Sequence, residues 1–75
     1  MKKVLRNLLN SMGLVYYRTD RQHEALTYFE RALSIENEDN SAILYNKALS
    51  LNLLGYYEEG FEELAELNGA GILQD

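Results

Sequence analysis

Apolar residues recur at steps of three and four from the start of the chain: Val4, Leu5, Leu8, Leu9, Met12, Val15 and Tyr16. This spacing predicts an amphipathic helix over residues 2–18. The pattern breaks at Thr19-Asp20 and resumes with Ala25, Leu26, Phe29, Ala32, Leu33 and Ile35, a second helix over 21–35. Thr19-x-x-Gln22 has the spacing of a capping box for its start. Residues 36–40 (ENEDN) form a polar loop, after which Asn40 or Ser41 can cap a third helix over 41–54. Its apolar face holds Ile43, Leu44, Ala48, Leu51 and Leu54. Gly55 makes a turn, and a fourth helix is expected over 56–67 with Tyr57, Phe61 and Leu64 inward. Asn68-Gly69 is a helix stop, because glycine accepts the left-handed conformation there without a steric penalty. The predicted fold class is all-α.

The halves of the chain lie over one another at a shift of 35 residues. Leu9 then meets Leu44, Gly13 meets Ala48, Tyr16 meets Leu51, Ala25 meets Gly60, Phe29 meets Leu64 and Ala32 meets Leu67. Apolar falls on apolar and small on small; Val15 on Ser50 is the exception. A period of this length marks a repeat of helical hairpins. It divides a single domain, residues 1–75, into a first repeat of about 6–39, a second of about 41–68 and a tail, 69–75. Within each hairpin the small residues are expected to face each other, Gly13 opposite Ala25 and Ala48 opposite Gly60, so that antiparallel helices approach closely.

In the first repeat Leu9-x2-Met12-Gly13-x2-Tyr16, then Ala25-x3-Phe29 and Ala32, resembles the tetratricopeptide repeat. The second copy is looser: Leu44-x2-Lys47-Ala48-x2-Leu51, then Gly60-x3-Leu64, with Lys47 where an apolar residue is usual. Asn37 stands where the first repeat would end in proline. The resemblance implies two hairpins stacked as a short right-handed superhelix, with the first helix of each pair lining a concave groove. It assigns Asn7, Asn10, Leu14, Tyr17 and Arg18 to that groove from the first helix, and Ala42, Tyr45, Asn46, Leu49 and Asn52 from the third. Asn10, Leu14, Tyr17, Tyr45, Asn46, Leu49 and Asn52 are the candidate binding residues. Asparagine can bond the backbone of an extended peptide as donor and acceptor, while Tyr and Leu anchor apolar side chains. Some family members clamp a peptide's terminal carboxylate with Lys and Asn on the first helix, Asn on the third and Lys plus Arg on a fifth. Here Asn10 and Leu14 stand at the first-helix positions, only Asn46 matches, and no fifth helix is expected. The implied function is a protein-interaction module binding a peptide or protein segment; the alternative is a structural unit that self-assembles.

Composition narrows the function without changing the fold. The chain has 75 residues, 47% hydrophobic, which allows one small core. It has no cysteine, which suits a reducing compartment. Asn7, Asn10, Ser11 and Gly13 interrupt any signal-peptide core after MKKVLR, and no run approaches a membrane span. A cytoplasmic protein with no membrane partner is expected. Residues 1–34 carry a net charge of +3 and residues 35–75 a net charge of −8. Glu58, Glu59, Glu62, Glu63 and Glu66 form either a solvated outer face or a docking surface for a basic partner, another copy included, through Lys2, Lys3 and Arg6. Basic residues are too few for a nucleic-acid ligand. His23 is the sole histidine and is expected on the solvent side, so no metal site, cofactor site or catalytic group is expected. After the fourth helix, Ile72 and Leu73 could fold back as a lid, too small to cover a hairpin face, and self-association through the exposed end of the second repeat is expected.

Overall fold

A computed structural model describes residues 1–35 and 39–68. Four helices follow one another: α1 (Lys2–Arg18), α2 (Gln22–Leu33), α3 (Ser41–Leu53) and α4 (Tyr57–Asn68). The predicted helices are all present, each boundary within two residues. α2 packs between α1 and α3, α4 packs on α3, and α1 touches α3 lightly. The result is two antiparallel hairpins side by side. The expected lid of Ile72 and Leu73 lies outside the described residues.

The core sits where the first three helices meet. Ala25, Phe29, Ala32 and Ile43 are buried together, with Leu9, Leu14, Tyr16, Tyr17 and Leu33 packed around them. The Phe29 ring lies directly over Gly13: a β-carbon built on that glycine would come within 2.6 Å of Phe29 Cδ1 and 3.0 Å of Cζ. The Phe29 ring thus fills the space that a side chain at Gly13 would need. In the second hairpin Gly60, the counterpart of Ala25, is covered by the Asn52 side chain and the Ala48 carbonyl, the latter 3.3 Å from the position of a β-carbon.

A second tie joins α1 to α2. The rings of Tyr16 and Tyr28 stack with centroids 5.4 Å apart and planes at 12°. The Arg21 guanidinium lies 4.9 Å from the Tyr16 centroid and that of Arg31 5.4 Å from the Tyr28 centroid. Four side chains thus form a cation–ring–ring–cation column across the hairpin, of a kind that adds about 0.5–1.5 kcal/mol beyond the area buried for the ring pair.

Both hairpin turns are built alike. The Arg21 N–H donates to the Tyr16 carbonyl (2.8 Å) and Asp20 N–H to Tyr17 (3.3 Å); 35 residues on, Tyr56 N–H donates to Leu51 (2.9 Å) and Gly55 N–H to Asn52 (3.0 Å). This is a Schellman closure, which needs a left-handed residue, and Asp20 (φ 65°) and Gly55 (φ 90°) supply it. The expected capping box does not form. The Thr19 hydroxyl turns back to the Val15 carbonyl (2.9 Å), and Gln22, buried, donates to the Tyr17 carbonyl (3.0 Å). Thr19 closes α1 instead of opening α2.

At the start of α3 Asn40 holds the N-cap position, as expected, but its side chain makes no capping bond; Asp39, one residue earlier, supplies one. Its carboxylate accepts the Ser41 N–H at 3.0 Å. That backbone bond, a second from the Ser41 side chain and the nearby Arg6 charge hold the Asp39 carboxyl below the usual range. Arg6 itself is buried, its guanidinium donating to the Asp39 carbonyl across the repeat boundary. It anchors the inter-repeat loop and is not presented on the surface beside Lys2 and Lys3.

The fourth helix departs most from expectation. Tyr57 and Phe61 are exposed rather than inward, and α4 presents Gly60, with half-buried Glu63, Leu64 and Ala65, to the rest of the molecule. An apolar pattern marks a face that can be covered; among the described elements α4 packs on α3 alone. The turn chemistry yields a direct test. Asp20 holds a left-handed conformation that costs an L-residue about 1 kcal/mol and costs glycine nothing. Asp20→Gly should raise the unfolding free energy by up to about that amount, read as a higher urea midpoint at constant slope. A lower midpoint would show that the Asp20 side chain stabilises the turn by more than its backbone strain.

Candidate functional site

The concave face is formed by α1 and α3, side by side and parallel because each is the first helix of its hairpin. A helix presents every third or fourth residue to one side, which places Asn7, Asn10, Leu14 and Tyr17 along α1, and Ala42, Tyr45, Leu49 and Asn52 along α3. Asn46 adjoins Tyr45. Its amide Nδ2 donates to Asn10 Oδ1 at 3.1 Å, a side-chain bond spanning 36 positions. This bond joins the two helices in the middle of the face.

The seven predicted residues differ in how much of each is left to the face. Tyr45 is exposed, and Asn10 and Asn46 are half-buried at their mutual bond. Leu49 is half-buried as well. Leu14 and Tyr17 are half-buried and pack against the core cluster, so each gives part of its surface to the fold and part to the face. Asn52 is half-buried over Gly60, where its amide lies at the α3–α4 seam. Sequence reasoning missed Leu53, an exposed apolar residue at the end of α3 whose counterpart on α1 is Arg18. The 35-residue shift is the signal that could have found it.

The electrostatics of this face are mild. Its polar groups are amides and phenols, with Arg18 exposed at one end. The charged chemistry lies behind it. Lys47 Nζ is 3.2 Å from Glu63 Oε2 and 3.9 Å from Glu30 Oε2, bridging α3 to both α4 and α2. The Lys47 and Glu63 side chains keep only about a fifth of their surface. Lys47 therefore replaces the usual apolar residue with an ionic clamp, and Glu63 leaves the glutamate face to complete it. Glu58, Glu59, Glu62 and Glu66 remain exposed. His23 is exposed at the start of α2.

Residues 7–39 match the tetratricopeptide repeat family. The chain carries a tetratricopeptide repeat. The four helices, paired as two hairpins, fit a second such repeat in residues 41–68, and the family is generally one of protein–protein interaction modules. Neither a curated protein nor a solved structure matched the chain. Among the described residues, no helix is long and apolar enough to cross a membrane.

The Asn10–Asn46 bond can be isolated by a double-mutant cycle. Asn10→Ala, Asn46→Ala and the double variant should show a coupling of about 0.5–1.5 kcal/mol in urea unfolding, the worth of one partly buried hydrogen bond. Strictly additive effects would mean that the bond does not hold the two helices.

Proposed function

We propose that the chain binds an extended segment of another protein along the concave face between α1 and α3, acting by binding and not by chemistry. The observation that supports this most is the Asn10–Asn46 pair, set between exposed Tyr45 and half-buried Leu14, Tyr17 and Leu49. Among the described residues, the bond leaves the Asn46 carbonyl oxygen and the Asn10 amino group uncommitted. Such an acceptor and donor suit the N–H and C=O of a peptide backbone, and the flanking Tyr and Leu suit apolar side chains. The mild charge of the face favours a ligand recognised by backbone and apolar contacts over one recognised by charge. A cytoplasmic setting accords with a chain free of cysteine. A second reading, self-assembly, draws support from the apolar residues exposed on α1 and α4, among them Leu8, Val15 and Phe61.

Peptides selected from a random display library against the isotope-labelled chain test the first reading. Bound peptide should shift the amide resonances of Tyr17, Tyr45, Asn46 and Leu49 together. The Tyr45→Ala, Asn46→Ala double variant should weaken binding at least about tenfold, or 1.4 kcal/mol. Shifts confined to Glu58, Glu59 and Glu62 would move the site to the outer face of α4 and contradict the groove.

A further inference from the structure

The two repeats can be compared position by position, and the comparison shows what each end of the molecule lacks. Ile43 on α3 is 2% exposed, buried against α2; its counterpart 35 residues earlier, Leu8 on α1, is 56% exposed. Ser50 is buried and its counterpart Val15 is exposed. On the other side, Gln22 of α2 is buried and Leu26 half-buried, whereas their counterparts on α4, Tyr57 and Phe61, are exposed. The surface by which α3 receives α2 is thus present on α1 with nothing on it. The surface by which α2 meets α3 is likewise present on α4 and, among the described residues, uncovered. A shallow hollow lined by Met12, Val15 and Tyr16 lies on the first, and one lined by Tyr57, Glu58, Phe61 and Glu62 on the second.

We infer that a second copy of this chain docks head to tail, α4 of one copy seated on α1 of the next as α2 is seated on α3 within the chain. This rests on the self-assembly reading and gives it a register. The internal junction supplies the pairing rule. Where Phe29 meets Ile43, the junction between copies brings Leu64 to Leu8 of the next copy. Where Glu30 approaches Lys47 at 3.9 Å, it brings Ala65 to Met12. The ionic contact becomes an apolar one, so the seam between copies is drier than the seam within the chain. Charge sets the polarity of the rim. α4 carries Glu58, Glu59, Glu62 and Glu66, all exposed, and α1 begins with exposed Lys2 and Lys3. In the α2–α3 arrangement the end of one helix lies beside the start of the next, which puts Glu66 beside those lysines. Two α4 faces brought together would set glutamates against glutamates, which disfavours a symmetric pair. The contact is heterologous, and each copy added lengthens the concave face.

Sedimentation velocity of the full 75-residue chain, from ~10 µM to ~1 mM, tests this with two variants, Leu8→Glu on α1 and Phe61→Glu on α4. Both positions are exposed and Glu is a good helix former, so helix content by circular dichroism should be unchanged. The parent chain should grow with concentration past the dimer, and each variant alone should stay monomeric. An equimolar mixture should form dimers and stop there, because one intact α4 meets one intact α1 and the remaining faces are blocked. Met12→Lys and Tyr57→Lys form a second pair should either Glu variant lose helix. A parent chain that remains monomeric overturns self-assembly altogether. A parent that assembles while the mixture stays monomeric, or while either variant assembles like the parent, overturns the head-to-tail register alone.

Discussion

The contact on which this structure depends is the Phe29 ring laid across Gly13. Helix axes in a hairpin can close only as far as the side chains between them allow. Gly13 offers none, and the ring fills the space a β-carbon would need. Phe29 has no exposed surface, and the same cluster includes Ile43 of α3. One side chain therefore closes the first hairpin and seats the second upon it. The spacing of α1 and α3, and with it the Asn10–Asn46 bond across the concave face, follows from that seating.

The two repeats share a backbone but not a chemistry. The first is held by an aromatic side chain over a glycine and by the Arg21–Tyr16–Tyr28–Arg31 column. In the second, Leu64 replaces Phe29 and Ala48 replaces Gly13, and Glu63, at the position of Tyr28, forms an ionic clamp with Lys47. Ion pairs of this kind repay much of their attraction in lost hydration, so the second hairpin gains less from its substitutions than the first. The difference runs parallel to the charge of the chain, basic in the first half and acidic in the second. Among the described residues, the two ends thus differ in charge, and each carries exposed apolar side chains, Leu8 and Val15 on α1 and Tyr57 and Phe61 on α4.

Helices and hairpins were legible in the sequence because their signals are local or strictly periodic: steps of three and four, small residues recurring at 35, a glycine at a turn. What the sequence misled on was non-local. Arg6 reads as a surface base, yet its long side chain reaches the carbonyl of Asp39 and is buried there. Thr19 and Gln22 have the spacing of a capping box, yet both bond carbonyls of the preceding helix, because the Schellman closure brings those carbonyls within reach. Tyr57 and Phe61 fit an inward face, yet among the described residues no element packs over them. For the candidate site, helix periodicity and the family resemblance picked out residues that the structure places on α1 and α3. Neither could show that Asn10 and Asn46 bond each other or that the Asn52 side chain lies over Gly60.

Equilibrium unfolding of Phe29→Ala beside Leu64→Ala, its counterpart in the second repeat, tests the dependence on Phe29 most directly. Phe29→Ala removes a fully buried ring from the meeting point of three helices, and should cost about 3–5 kcal/mol or abolish the cooperative transition. Leu64→Ala, at a half-buried position on α4, should cost clearly less and leave the transition cooperative. Equal losses at the two positions, or an unchanged midpoint for Phe29→Ala, would contradict the account.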